Sequence, residues 1–194
     1  MNKCIENGYY TSEDLKDFGI KKVGTEVLIA KDATVIGLEN ISIGNRVRID
    51  SYTNLIVPTG ELVLGSNIHI GSNCYVGATG GVRFNDFSAI SQGVRIYSAT
   101  DDFSGRFLTN STIPTGYTNL IKGEVILSEH VVVGSGSTIL PNCFLGEGCA
   151  VGAMSLVGKD LDPWSIYLGA PARKIGERSK EMIKLANDYL RTTD

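Results

Sequence analysis

At 194 residues with a formal net charge of −3, the chain has room for one compact domain and a short appendage. Its balance of 42% apolar and 20% charged residues gives no electrostatic reason to expect nucleic acid or an anionic membrane as partner, and no apolar run is long enough to span a bilayer. The opening stretch MNKCIENGYYTSEDL has no apolar core of signal-peptide length and carries acids early, so the expected location is the cytoplasm.

Residues 1–28 read as an N-terminal helical cap. Ser12 precedes EDLKDFGI, a short helix with acids in its first turn and Gly19 near its end. From residue 29 to 158 a six-residue step takes over. Ile43, Ile49 and Leu55 carry it, then Leu64, Ile70 and Val76, then Phe84, Ile90 and Ile96. It resumes through Leu127, Val133, Ile139, Leu145, Val151 and Val157, often with Gly next in the chain. Four positions after each anchor sits a compact residue, among them Val47, Thr53, Cys74, Ser88, Ser137, Cys143, Cys149 and Ser155. Three of the four cysteines fall in that register, as small packing groups in a reduced interior. With no CxxC pair and only two histidines, an ordinary zinc site is not furnished, and no metal is expected.

The physics is that of an all-β solenoid. One six-residue segment makes a short strand and a turn, and three segments close a triangular coil. A single coil cannot bury its apolar edge, so coils stack and each contacts its neighbours. Anchors point to the prism axis, and small residues fit where the chain turns a corner. Alternation at period two, or helices between strands, would mark a sandwich or a doubly wound sheet, and neither is present. The largest interruption is an excursion at 98–124, about 25 residues beyond one repeat. An insertion of that length in a regular coil signals a functional loop or an interface. Residues 159–194 read as a C-terminal cap and helix, with Ile175, Met182, Ile183, Leu185, Ala186, Tyr189 and Leu190 forming one apolar stripe.

The closing segment HVVVGSGSTILPNCFLGEGCAVGAMSLVGKDLDPWSIYLGAPARKI, with its GAPARK string, resembles the last coils and cap of the hexapeptide-repeat acyltransferases. The resemblance covers essentially the whole chain. It looks nearest to the branch of sugar, galactoside and xenobiotic O- and N-acetyltransferases. It implies a left-handed parallel β-helix, a homotrimer, and acetyl-CoA lying in the cleft between neighbouring prisms. Backbone groups at Gly134, Ser135, Gly152 and Ala153 would then pair with pantetheine amides, as an added strand does. Lys159, Arg173 and Lys174 would meet the phosphates, and Trp164 is a candidate to face adenine, although packing in the cap is the commoner place for such a side chain.

Catalysis needs a base for the acceptor's proton. The family generally places a histidine in the loop that here follows Ile96, but this loop begins Ser98-Ala99-Thr100-Asp101-Asp102 and has none. Only His69 and His130 remain. Counting anchors puts both on one side of the prism, two coils and about 10 Å apart. His69 precedes the inward Ile70, so its ring faces outward, and it ranks first; His130 sits at a corner and ranks second. Asp101 or Asp102 would orient a histidine or grip the sugar.

The expected function is acetyl transfer from acetyl-CoA to a sugar hydroxyl in surface polysaccharide (O-antigen or capsule) biosynthesis, a class that rests on the resemblance. The alternative is a nucleotide-amino-sugar N-acetyltransferase, and the alternative of another class is a non-catalytic structural or binding β-helix. A γ-type carbonic anhydrase, on the same solenoid, needs three histidines and is disfavoured by two.

Overall fold

The computed structural model describes residues 8–193; residues 1–7 of the expected cap, Cys4 included, and Asp194 lie outside the described residues. The chain is a three-sided parallel β-solenoid, each coil visiting a third, a first and a second face in turn. The first face holds seven parallel strands, from Leu28–Ala30 to Ser165–Leu168, flanked by antiparallel Tyr9–Thr11 and Arg173–Glu177. The second and third faces hold six strands each. Parallel pairing begins at Lys22–Val23 and ends at Ser165–Leu168, so the prism runs past residues 29–158 at both ends.

The six-residue step is the cause of this architecture. Every anchor named from Ile43 to Val157 is at most 3% exposed, and together they fill the prism axis. Thr53, Cys74, Ser88, Ser137, Cys143, Cys149 and Ser155 are buried beside them. Burial pushes the thiols of Cys74 and Cys143 up to about 11 and that of Cys149 to about 12, which makes all three poor nucleophiles.

The ends differ from expectation in detail. The N-terminal helix is one turn, Ser12–Leu15, capped by Thr11 in a reciprocal box with Asp14. Ser12 instead accepts the Val27 N–H at 2.7 Å, tying the cap to the prism. At the other end the helix is Glu181–Thr193, and Ile175 is not on its stripe: it lies in the strand Arg173–Glu177 and is 62% exposed.

What holds this helix is a ladder along the corner between the third and first faces. Arg46, Asn67, Phe87, His130, Gly148 and Trp164 occupy it in successive coils, all with positive φ between 53° and 66°. Left-handed backbone costs a residue other than Gly about 1 kcal/mol or more. Side-chain stacking offsets it: Arg46 Nε donates to Asn67 Oδ1 at 2.9 Å, and the Phe87 and His130 rings stack at 5.1 Å. Gly148 is glycine because a Cβ there would run into the Trp164 indole. Arg178 donates to the His130 and Gly148 carbonyls at 2.8 and 2.9 Å, and Tyr189 packs on Phe87 and donates to Asn67.

Replacing Val151 by Asp would set an unpaired charge on the prism axis and is expected to cost at least ~3 kcal/mol, read as a fall in the unfolding midpoint. A midpoint near that of the parent would contradict the inward register.

Candidate active site

The functional groups gather along two corners of the prism. At the corner between the first and second faces, the residue after each anchor forms a column: Asp50, Gly71, Ser91, Gly134 and Gly152. Each of their N–H groups donates to a carbonyl of the next coil, at 2.7–2.9 Å. That corrects one expectation. The Gly134 and Gly152 N–H groups are spent inside the prism, and the Gly152 carbonyl accepts from Ser137 and Ser155. Ser135 and Ala153 stand one residue further out, and neither N–H donates to another backbone group of the described residues.

Low on this column lies a carboxylate that was not among the expected site residues. Asp50 takes the position usually held by Gly after an anchor, and that departure was the signal for it. Its Oδ2 is 2.7 Å from His69 Nε2, its Oδ1 2.9 Å from Arg48 Nε, and Tyr9 donates to it at 3.2 Å. Burial opposes its ionisation, but the His69 hydrogen bond and the Arg48 charge outweigh that and hold its pKa below the usual value. With a carboxylate as partner, Nε2 carries the hydrogen, and Nδ1 is the nitrogen Asp50 does not engage. Arg48 Nη2 stands 3.0 Å from the same Nε2. His69 therefore faces outward as expected, and Asp50, not Asp101 or Asp102, orients it.

Past the far end of the second face the excursion leaves as a hairpin, Ala99–Asp101 against Leu120–Lys122. Gly123 donates to the Ser98 carbonyl at 2.9 Å and closes its base. Asp102 is buried here as a brace: it accepts the Ser104 N–H at 2.6 Å and Asn119 Nδ2 at 2.8 Å. Hydrogen bonds from Ser104 and Asn119 hold its pKa at about 2. Asp101 instead borders a hollow of about 650 Å³ with Asn110, Ser111, Thr115 and Thr118.

The remaining expected residues divide. His130 lies on the same side as His69 and two coils away, but its ring stacks on Phe87 and faces Trp164. Trp164 is 7% exposed, packed over Gly148 and under the Lys180 ammonium, so it is a cap residue with no open face for adenine. Lys174 pairs with Glu177 at 2.7 Å, which raises its pKa, while Lys159 and Arg173 are exposed. Among the described residues, no helix is long and apolar enough to cross a membrane.

The prism is a scaffold shared by several activities, and comparison with known proteins says which class this chain falls in. The chain is 38% identical over 181 residues to a dTDP-4-amino-4,6-dideoxy-D-glucose acyltransferase of Escherichia coli, covering 93% of this chain and 94% of that protein. It is 24% identical over 158 residues to the putative lipopolysaccharide biosynthesis O-acetyl transferase WbbJ of Escherichia coli K12, 79% of this chain and 76% of that one. Among solved structures, AntD, an N-acyltransferase from Bacillus cereus in complex with dTDP and 3-hydroxybutyryl-CoA, superposes with a TM-score of 0.91 at 43% identity, over 96% of this chain and 98% of that one. No protein-family model matches the chain. The chain belongs to the left-handed β-helix, hexapeptide-repeat acyltransferase family.

Because the folded pKa of Asp102 lies below its ordinary value, the bracing it gives is complete above about pH 4 and is lost as pH falls through about 2. Amide protection in the excursion should be level from pH 8 to about 4 and then decline, and Asp102→Ala should lower it throughout. Protection unchanged by the substitution would refute the brace.

Proposed function

We propose that the protein transfers an acyl group from an acyl-CoA to the amine of a dTDP-linked amino sugar. The observation that carries this is near-full-length likeness to two proteins with that description, one of them with dTDP and an acyl-CoA bound. The expectation of sugar O-acetylation gives way to its alternative, since the O-acetyl relative is matched at only 24%. In the reaction the amine lone pair attacks the thioester carbonyl, the C–S bond breaks as CoA thiolate leaves, and the ammonium proton passes to a base.

Asp101 is our choice of base. AntD has been studied as serine and aspartate variants whose altered positions are ten residues apart. Ser91 and Asp101 are the only serine–aspartate pair in this sequence with that spacing and order. His69, first by sequence, gives its Nε2 to Asp50, and its position has no counterpart in that serine–aspartate pair. Ser91 lies at the corner before the second-face strand Arg95–Tyr97 and Asp101 in the hairpin after it, so the roughly 10 Å length of that strand stands between them. One chain therefore does not bring the two together. Neighbouring prisms in a homotrimer would, with Ser91 of one copy opposite Asp101 of the next. The acyl-CoA would lie above Ser91, toward Ser135 and Ala153 and the cations Lys159 and Arg173.

Given acetyl-CoA, the protein should acylate a dTDP-4-amino sugar and leave the 4-hydroxy counterpart untouched, as read by mass spectrometry of the nucleotide product. Asp101→Asn should lower turnover at least ~100-fold with acyl-CoA affinity unchanged. Acylation of the hydroxyl sugar alone would overturn the reading.

A further inference from the structure

One basic groove has no role in the reaction as described. It lies on the first face beneath the end of the C-terminal helix, with a volume of about 390 Å³, lined by Arg46, Arg48, Asn67, Ile68, His69 and Tyr189. No carboxylate is among those six. Both guanidiniums are fixed on their Nε edge. Arg46 Nε donates to Asn67 Oδ1 at 2.9 Å, and its guanidinium carbon lies 5.8 Å from the centre of the Tyr189 ring. Arg48 Nε pairs with Asp50 Oδ1, and Asp50 also holds His69. Arg48 Nη2 also reaches Asp50 Oδ2 at 3.4 Å and His69 Nε2 at 3.0 Å, so Nη1 is the nitrogen those contacts leave to a ligand, and forks anchored in this way lose little freedom on binding it. Arg48 remains 53% exposed in its side chain and His69 41%. A ligand with several closely spaced anionic oxygens matches two such forks, and a diphosphate is the commonest of that kind.

The register says which diphosphate. His69 is paired with Ala89 in the next coil, and Ser91 is two residues beyond Ala89 at the corner. One coil of rise and two residues of strand separate His69 from Ser91 by about 8 Å, the reach of a hexose from its own phosphate. The exposed cap cations Lys159 and Arg173 lie in the opposite direction, beyond the last coils. The geometry points to this groove as the seat of the acceptor's diphosphate: Arg46 and Arg48 bind its oxygens, His69 adds a third contact, and Asp50 and Asn67 are positioning residues. The assignment rests on the proposed acceptor class and gives it a place below Ser91, with the acyl-CoA above.

The test uses the full-length protein and calorimetric titration with dTDP, dTMP and CoA. Wild type should bind dTDP at least ~10-fold more tightly than dTMP, which lacks the second phosphate. Arg48→Gln should weaken dTDP ~10-fold or more, remove most of its advantage over dTMP and leave CoA binding unchanged. Arg46→Gln should do the same, a second variant should either fail to fold. Turnover at saturating acceptor should stay within a few-fold of wild type while the acceptor KM rises. Equal dTDP affinity in wild type and both variants would overturn the seat while leaving the acceptor class intact. Weakened CoA binding with dTDP unaffected would assign the groove to the donor instead and also overturn it. If wild type binds no dTDP at all, the acceptor class itself fails. A His69→Ala variant that loses ~100-fold in turnover at unchanged dTDP affinity would make His69 the base and contradict its role here.

Discussion

The structure depends on one constraint: every coil must place an apolar side chain on the prism axis directly above the one before it. A coil that met this alone would leave its other faces wet, so each is stable only between neighbours. The consequence is a frame of fixed rise in which outward side chains are spaced by geometry rather than by loops. Arg48 and His69 on adjacent first-face strands, and Asp50 and Ser91 along one corner, gain their spacing from the burial of Ile49, Ile70 and Ile90. Rigid scaffold positions of this sort suit groups that must meet a ligand at hydrogen-bond distance.

The three corners have different work. One carries residues with left-handed backbone whose side chains stack from Arg46 to Trp164, and the C-terminal helix is bound there through Arg178 and Tyr189. One carries the polar column from Asp50 to Gly152. The last releases the excursion with Asp101 at its rim and Asp102 as its brace. His130 shows how position decides role. It has the side chain of a catalytic base, but its corner belongs to the stacking ladder.

The prism was legible in the sequence because its cause is local and periodic. Ile70, Val133 and Val151 can be assigned inward by counting alone, and the structure buries each. The outward ring of His69 follows from the same count. Its partner does not, because Asp50 is 19 residues away and meets His69 only once two coils stack. The packing of Trp164 in the cap fits the reading favoured for it, but its partner is not legible, because it rests on Gly148 in the preceding coil. Backbone availability at Gly134 and Gly152 is not legible in the sequence, because the corner ladder consumes their N–H groups, a fact of register rather than of residue type. Ser91 is not legible in the sequence, being one more small residue after an anchor.

The account's central claim is that catalysis needs Ser91 of one copy and Asp101 of the next. The most direct measurement mixes two variants, Ser91→Ala and Asp101→Asn, each poorly active alone, under conditions that let subunits exchange. In an equal mixture at full exchange, an intact serine stands opposite an intact aspartate in about a quarter of all sites. The account predicts that activity rises on mixing to that share of wild type. Activity that stays at the average of the two separate variants, with subunit exchange verified, would contradict it.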